Sequence, residues 1–195
     1  MSNFEQAVQV VLAHEGTPEN FWVDDPVDPG GETVWGWSMS TIKTLNLTPR
    51  DLGLNLEAFV PGCLKGVTRD TCAELYRRFF WQKYGYGYLD DQRVATKVFD
   101  AAVNIGPVRA HVRAQQVAQA PIVDGVIGPM TIGAINRMEA GRFVAAYSNA
   151  LEVYYRGLVQ AKPPLGKFLA NWLKRAQWGL EPPPAPVGPA VPGSS

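Results

Sequence analysis

Apolar residues recur along most of this chain at helical spacing, and the pattern breaks at glycines and prolines. Phe4, Val8, Val11 and Glu15 fall at i, i+4, i+7 and i+11, one face of a helix, which Gly16 and Pro18 stop at once. Thr41 to Leu47 predicts a short helix, and Thr48-Pro49-Arg50-Asp51 a turn or a new helix start. After Thr68, a good N-cap, Cys72, Leu75, Tyr76, Phe79 and Phe80 follow at i, i+3, i+4, i+7 and i+8. They predict an amphipathic helix ending near Tyr84 and Gly85. Further helices are predicted over 91–105, stopped by Gly106-Pro107, over 107–119, from Pro129 as first helical residue, over 141–160 and over 165–178. In the last of these, Phe168, Leu169, Trp172, Leu173 and Ala176 form the apolar stripe, and Lys174 and Arg175 lie off it on a solvated face.

Two stretches depart from this periodicity. Asp24-Asp25-Pro26-Val27-Asp28-Pro29-Gly30-Gly31 holds two prolines and adjacent glycines, which exclude a regular helix or a central strand and predict a compact loop. Beyond it, Thr33 to Ser38 predicts a short strand with Thr33, Trp35 and Trp37 on one side by period-two alternation. The other stretch is the tail 181–195, EPPPAPVGPAVPGSS, proline-rich and without apolar periodicity, expected to be disordered or extended. With 195 residues and a hydrophobic share of 46%, the rest suffices for one sizeable core, so the fold class is mainly α, one globular domain with a short strand or hairpin.

Charge and composition narrow the function. Lysine plus arginine equal aspartate plus glutamate at 18 each, with no basic stripe, so no nucleic-acid partner is expected. No run approaches the ~18 apolar residues of a membrane span, and stable membrane insertion is not expected. The N-terminus lacks the basic start and long apolar run of a signal peptide, so synthesis in the cytoplasm as a soluble protein is the expectation. Two cysteines, Cys63 and Cys72, and two histidines, His14 and His111, are too few and too scattered for a zinc site or a disulfide framework. Free thiols, no metal and no cofactor are expected.

Candidate chemistry gathers at the end of the first helix. Glu15 lies on its apolar face, in the last turn, near the negative end of the helix dipole. Burial and dipole both favour the protonated carboxyl, the form a general acid needs at neutral pH. Within about one loop lie two candidate second carboxylates, Asp25 and Asp28, the hydroxyl of Thr33 and the indoles of Trp35 and Trp37, a set suited to a sugar. Aspartates before proline ordinarily build turns, the competing role for Asp25 and Asp28. His14 adjoins the acid, but with no serine or cysteine motif it is not read as part of a triad. Asp100 and Asn104 share a helix face, as a polar stripe or with Asn104 turned to substrate. Phe79 and Phe80 are expected in the core, while Trp81 and Tyr84 are candidates for a glycan cleft.

Residues 14–37, HEGTPENFWVDDPVDPGGETVWGW, resemble the signature of glycoside hydrolase family 108, HEGGY followed by NDPxDPGGxTNYGIT. Thr17-Pro18 replaces part of the HEGGY ending, Asp24 the asparagine, and Val34-Trp35-Gly36-Trp37 the NYGI. FDAAVNIG from Phe99 and VDGVIGPMT from Val123 resemble motifs of the family's C-terminal half, often labelled peptidoglycan-binding, so the likeness spans Phe4 to Trp178. It implies a lysozyme-like fold, with residues 1–90 as the catalytic half and 91–180 as the helical C-terminal half. It also implies the activity of phage endolysins and related muramidases: cleavage of peptidoglycan glycan strands between N-acetylmuramic acid and N-acetylglucosamine. Glu15 matches the family's catalytic acid, and Asp25 or Asp28, with Thr33, would hold a water or stabilise an oxocarbenium-like charge. Trp35, Trp37, Asn104 and Tyr84 are the candidate substrate contacts. A monomer released to the wall by a holin completes the expectation. The rivals are a non-catalytic wall-binding or secretion-activating protein, and a lytic transglycosylase. Because the tail has no means of burying apolar area, deleting residues 181–195 is expected to leave the melting temperature unchanged; a fall of several degrees in a thermal scan would show that it packs.

Overall fold

Residues 1–17, 19–24 and 30–180 are described by the structure, a computed structural model of the chain. Among them eight α-helices enclose one apolar core: α1 (Phe4–Glu15), α2 (Met39–Thr44), α3 (Arg69–Tyr76), α4 (Gln92–Ile105), α5 (Pro107–Val117), α6 (Pro129–Asn136), α7 (Ala140–Ala161) and α8 (Gly166–Gln177). Three two-residue strands, β1 (Trp22–Val23), β2 (Thr33–Val34) and β3 (Trp37–Ser38), form an antiparallel sheet in the order β1-β2-β3. The expectation of a mainly α fold with a hairpin beside the candidate acid is met. The aspartates Asp25 and Asp28 and the tail 181–195 lie outside the described residues. No helix among the described residues is long and apolar enough to cross a membrane.

The centre of the fold is α4. Every residue from Val94 to Ala102 is buried, so this helix is enclosed on all sides, with α1, α5 and α7 packed against it. Phe99, fully buried, lies at the hub of an aromatic cluster, with ring centroids 5.5 Å from Trp81, 5.7 Å from Tyr86 and 6.3 Å from Phe4 and Tyr76. Burial of one such side chain contributes about 1.5–3 kcal/mol. The apolar cluster takes residues from both halves of the chain, from Phe4 to Ala176. Enclosure also traps two charged side chains of α4, Lys97 and Asp100. Lys97 Nζ donates to the carbonyls of Ala176 and Trp178 at 2.6 Å each, satisfying the C-terminal end of α8. Burial pushes its ammonium down to about 8, with Asp100 pulling the other way.

Helix ends follow their caps. Asn3, Ser38, Thr68 and Asp91 each accept from a backbone N–H of the turn they precede. Ser38 starts α2 two residues before the predicted Thr41. The predicted helix from Thr68 to Tyr84 is less regular than its periodicity implies, because Arg77–Gln82 forms a π-helical turn after α3. The wider turn rotates the side chains carried on it, and Trp81 enters the core between Phe4 and Phe99 at 7% exposure. Trp81 is therefore a core residue rather than a cleft residue.

The motif at Val123 also has a clear structural role. Buried Gln115 donates to Asp124 Oδ1, the Val126 carbonyl and Thr131 Oγ1, and its Oε1 accepts from the N–H groups of Asp124 and Gly125. His111, fully buried, has Nδ1 2.9 Å from the Gly125 carbonyl and Nε2 2.7 Å from the Tyr86 hydroxyl. Those partners assign a neutral ring, with Nδ1–H donating and Nε2 accepting. Burial lowers the His111 pKa, with the Gly125 hydrogen bond opposing. Protons then bind the unfolded chain first, so this contribution to stability is complete above 6.5 and is lost as pH falls toward the folded value. Urea denaturation from pH 7.5 to 5 is expected to show the parent losing stability below 6.5 more steeply than His111→Asn; parallel curves would refute it.

Candidate active site

The apolar face of α1 carries Glu15 to the helix end as predicted, with its side chain 18% exposed. Two groups close on its carboxylate. On one side Arg175 Nη2, from α8, donates to Glu15 Oε1 at 2.7 Å. On the other lies the turn joining β2 to β3. Val34 pairs with Trp37, and the two residues between them have positive φ, 46° at Trp35 and 83° at Gly36. This is the tight mirror-image turn that suits hairpin twist, but with tryptophan at a position that normally takes asparagine or glycine. A Cβ at Gly36 would lie 2.7 Å from Glu15 Oε2 and would clash with the Tyr76 hydroxyl, so only glycine lets the backbone come this close. Tyr76 Oη donates to the Trp35 carbonyl at 2.9 Å and locks the turn. Burial, and then the nearby Glu15 charge, push the Tyr76 phenol up and keep it a donor.

Arg175 is shared. Its Nε and Nη2 donate to both oxygens of Asp100 at 2.9 and 2.8 Å, a two-pronged pair. His14 Nδ1 reaches Asp100 Oδ1 at 3.0 Å. Burial by itself would raise the Asp100 carboxyl, but the Arg175 guanidinium and His14 outweigh it and hold it below its ordinary value. The guanidinium is likewise desolvated, and the charges of Asp100 and Glu15 more than compensate, raising it. His14, Glu15, Asp100 and Arg175 thus form one network built from α1, α4 and α8.

Three expectations change here. Arg175 does not lie on a solvated face: its side chain is 10% exposed, because Ala176 packs into the core and Lys97 anchors the helix end beside it. Burial and dipole are not the whole environment of Glu15, since a cation is in direct contact with it. Thr33, Trp35 and Trp37 do not share one strand face, because the turn at Trp35-Gly36 splits the segment into β2 and β3. Thr33 stands half-buried in β2 opposite Val23 and Ser38. Trp35 stacks on Phe21 at 5.4 Å with the Arg69 guanidinium 5.7 Å from its ring. Trp37 is 2% exposed and packs on Tyr76 at 5.0 Å and on Phe79 and Phe80 at 6.1 Å, leaving too little surface to meet a sugar. Tyr84 has His111, Tyr86 and Phe80 as ring neighbours, none of which belongs to the Glu15 network. Asn104 sits one turn beyond Asp100, its Oδ1 accepting from the Tyr155 hydroxyl at 2.6 Å, and lines a cleft.

Sequence reasoning missed Arg175, Tyr76 and the partner role of Asp100. Asp100 did carry a signal, as a charge on a helix otherwise rich in apolar residues; Arg175 carried none. Glu32 was missed too. This buried carboxylate accepts from Trp22 Nε1 at 3.2 Å and from the N–H groups of Gly62 and Leu64 at 2.7 and 3.0 Å, tying the hairpin to residues 62–64. No cluster of three metal-binding side chains occurs among the described residues.

The site thus holds a partly exposed carboxyl beside a hairpin, in contact with a cation, on a helical fold. The chain belongs to the glycosyl hydrolase 108 family, whose model matches residues 8–106, the span holding Glu15, the hairpin, Tyr76 and Asp100. It is a glycoside hydrolase with a lysozyme-like fold, of a family that points to peptidoglycan as substrate. The chain is similar to the structure of Brucella abortus SagA at 28% identity, covering 89% of this chain and 91% of that one, with a TM-score of 0.66. No curated protein matches it. Arg175 lies beyond the family match. Arg175→Gln leaves Asp100 buried without its main counter-charge and is expected to cost about 3–5 kcal/mol of stability by urea denaturation; a loss under about 1 kcal/mol, the range of an exposed pair, would show that the network is peripheral.

Proposed function

We propose that the protein hydrolyses the β-1,4 bond between N-acetylmuramic acid and N-acetylglucosamine in peptidoglycan, with Glu15 as general acid. The observation that carries this reading is Glu15 itself, partly open to solvent between the hairpin turn and Arg175, and the resemblance of its HEG segment to the family signature supports the role of acid. Arg175 occupies Oε1, so Oε2, on the hairpin side, is the oxygen that would carry the proton to the leaving glycosidic oxygen. When that proton leaves, the negative charge on Glu15 develops beside a guanidinium already held in place by Asp100, a preorganised arrangement that needs no rearrangement during reaction. Asp100 and His14 act through Arg175 and position the acid. Asp25 or Asp28, with Thr33, is the proposed holder of the attacking water. The lysis role, with a holin opening the route to the wall, follows from the resemblance to endolysins.

A lytic transglycosylase would use the same acid and differ in product, an anhydro sugar in place of a reducing end. Purified peptidoglycan digested with the parent should give reducing muramic acid ends by mass spectrometry. Glu15→Gln keeps the hydrogen bond to Arg175 but has no proton to deliver, so turnover should fall by about 10² or more with the near-ultraviolet circular dichroism unchanged. Anhydromuramic products would favour the transglycosylase. A Glu15→Gln rate within about tenfold of the parent would remove Glu15 as the acid.

A further inference from the structure

A cleft of about 400 Å³ opens between the end of α4, the first turn of α5, α7 and α8, with Asn104, Arg109, Tyr154, Tyr155 and Trp172 in its walls. It adjoins the charge network. Asn104 stands one helical turn past Asp100 on α4, and Trp172 one turn before Arg175 on α8. Tyr155, whose hydroxyl joins it to Asn104, has its phenol pushed up by burial, with the Arg175 charge opposing and that of Asp100 adding.

Two of its polar groups are unused by the fold. Among the described residues the Arg109 guanidinium makes no ion pair or hydrogen bond, and Asn104 Nδ2 donates to nothing. No lining side chain is acidic. Arg113, one turn further along α5, lies 4.0 Å over the ring of Tyr154, a residue of the same wall. Tyr155 and Trp172 stack at 5.3 Å and form a planar apolar flank. A neutral sugar has no need of a free guanidinium. A peptide bearing a carboxylate uses all three features: the cation, an amide donor for a peptide carbonyl, and flat apolar surface.

We propose that this cleft takes the peptide stem carried by the muramoyl residue next to the scissile bond, with Arg109 pairing with a stem carboxylate and Asn104 Nδ2 donating to a peptide carbonyl. The inference rests on the reading of the protein as a peptidoglycan hydrolase, and it makes the enzyme selective for peptide-bearing over bare glycan.

The test is binding, which does not depend on turnover. Muramoyl-L-alanyl-D-glutamate and its methyl ester are titrated into the full chain by calorimetry. The parent should bind the free acid about two- to fivefold more tightly than the ester, the scale of one partly exposed charge pair. Arg109→Gln should bind both alike, at the affinity of the ester, and Arg109→Lys should retain part of the preference. Equal affinities in the parent, no binding of either probe, or an unchanged preference in Arg109→Gln would each overturn the proposal. Digestion of purified peptidoglycan by the parent is measured alongside: preference for the acid without digestion sinks the hydrolase reading and leaves the cleft assignment standing, whereas digestion without preference does the reverse.

Discussion

The two-pronged pair between Asp100 and Arg175 is the contact on which the rest of the site depends. Asp100 lies on the most enclosed helix of the fold, where an unpaired carboxylate would be too costly to keep ionised. Its partner comes from α8, the last described helix, whose C-terminal carbonyls are held by Lys97, also from α4. One helix thus places two charges that fix the end of another far away in the chain. Once Arg175 is held there, Nη2, which also donates to Asp100, reaches Glu15, and the last turn of α1 gains a counter-charge that the helix end could not supply.

The hairpin supplies the opposite wall by a different physics. The Trp35-Gly36 turn is a steric device: both residues sit at positive φ, the Tyr76 hydroxyl ties down the Trp35 carbonyl, and the missing Cβ of Gly36 admits the backbone to the carboxyl of Glu15. Strain at Trp35 is offset by its stacking on Phe21 and by the Arg69 guanidinium above it. The indole is therefore committed to shaping the turn, and the neighbouring Trp37 to the core.

The motif that begins at Val123 serves architecture. Asp124 and Gly125 build a turn whose N–H groups and Asp124 carboxylate are engaged by Gln115 and whose Gly125 carbonyl is engaged by His111. Two polar groups left unused by the fold among the described residues, Asn104 Nδ2 and the Arg109 guanidinium, lie instead in the cleft beside the end of α4. The Glu15 network and the cleft then share a wall, because α4 contributes Asp100 to one and Asn104 to the other within a single turn.

Helices, their caps and the position of Glu15 at the end of α1 were legible in the chain before any packing was known. Those features are local: the spacing of Phe4, Val8 and Val11 puts Glu15 at the edge of the core whatever packs there, and Thr68 or Asp91 caps its helix through its own neighbours. Local pattern misled where one extra residue altered a turn, as in the π-helical stretch that sent Trp81 inward, and where alternation was read through Trp35-Gly36 as if the chain ran straight. The electrostatics of Glu15 came only with the tertiary fold. A guanidinium 160 positions away can be told from a solvated one only by what lies opposite it, because burial of a charge depends on a partner rather than on the periodicity of its own helix.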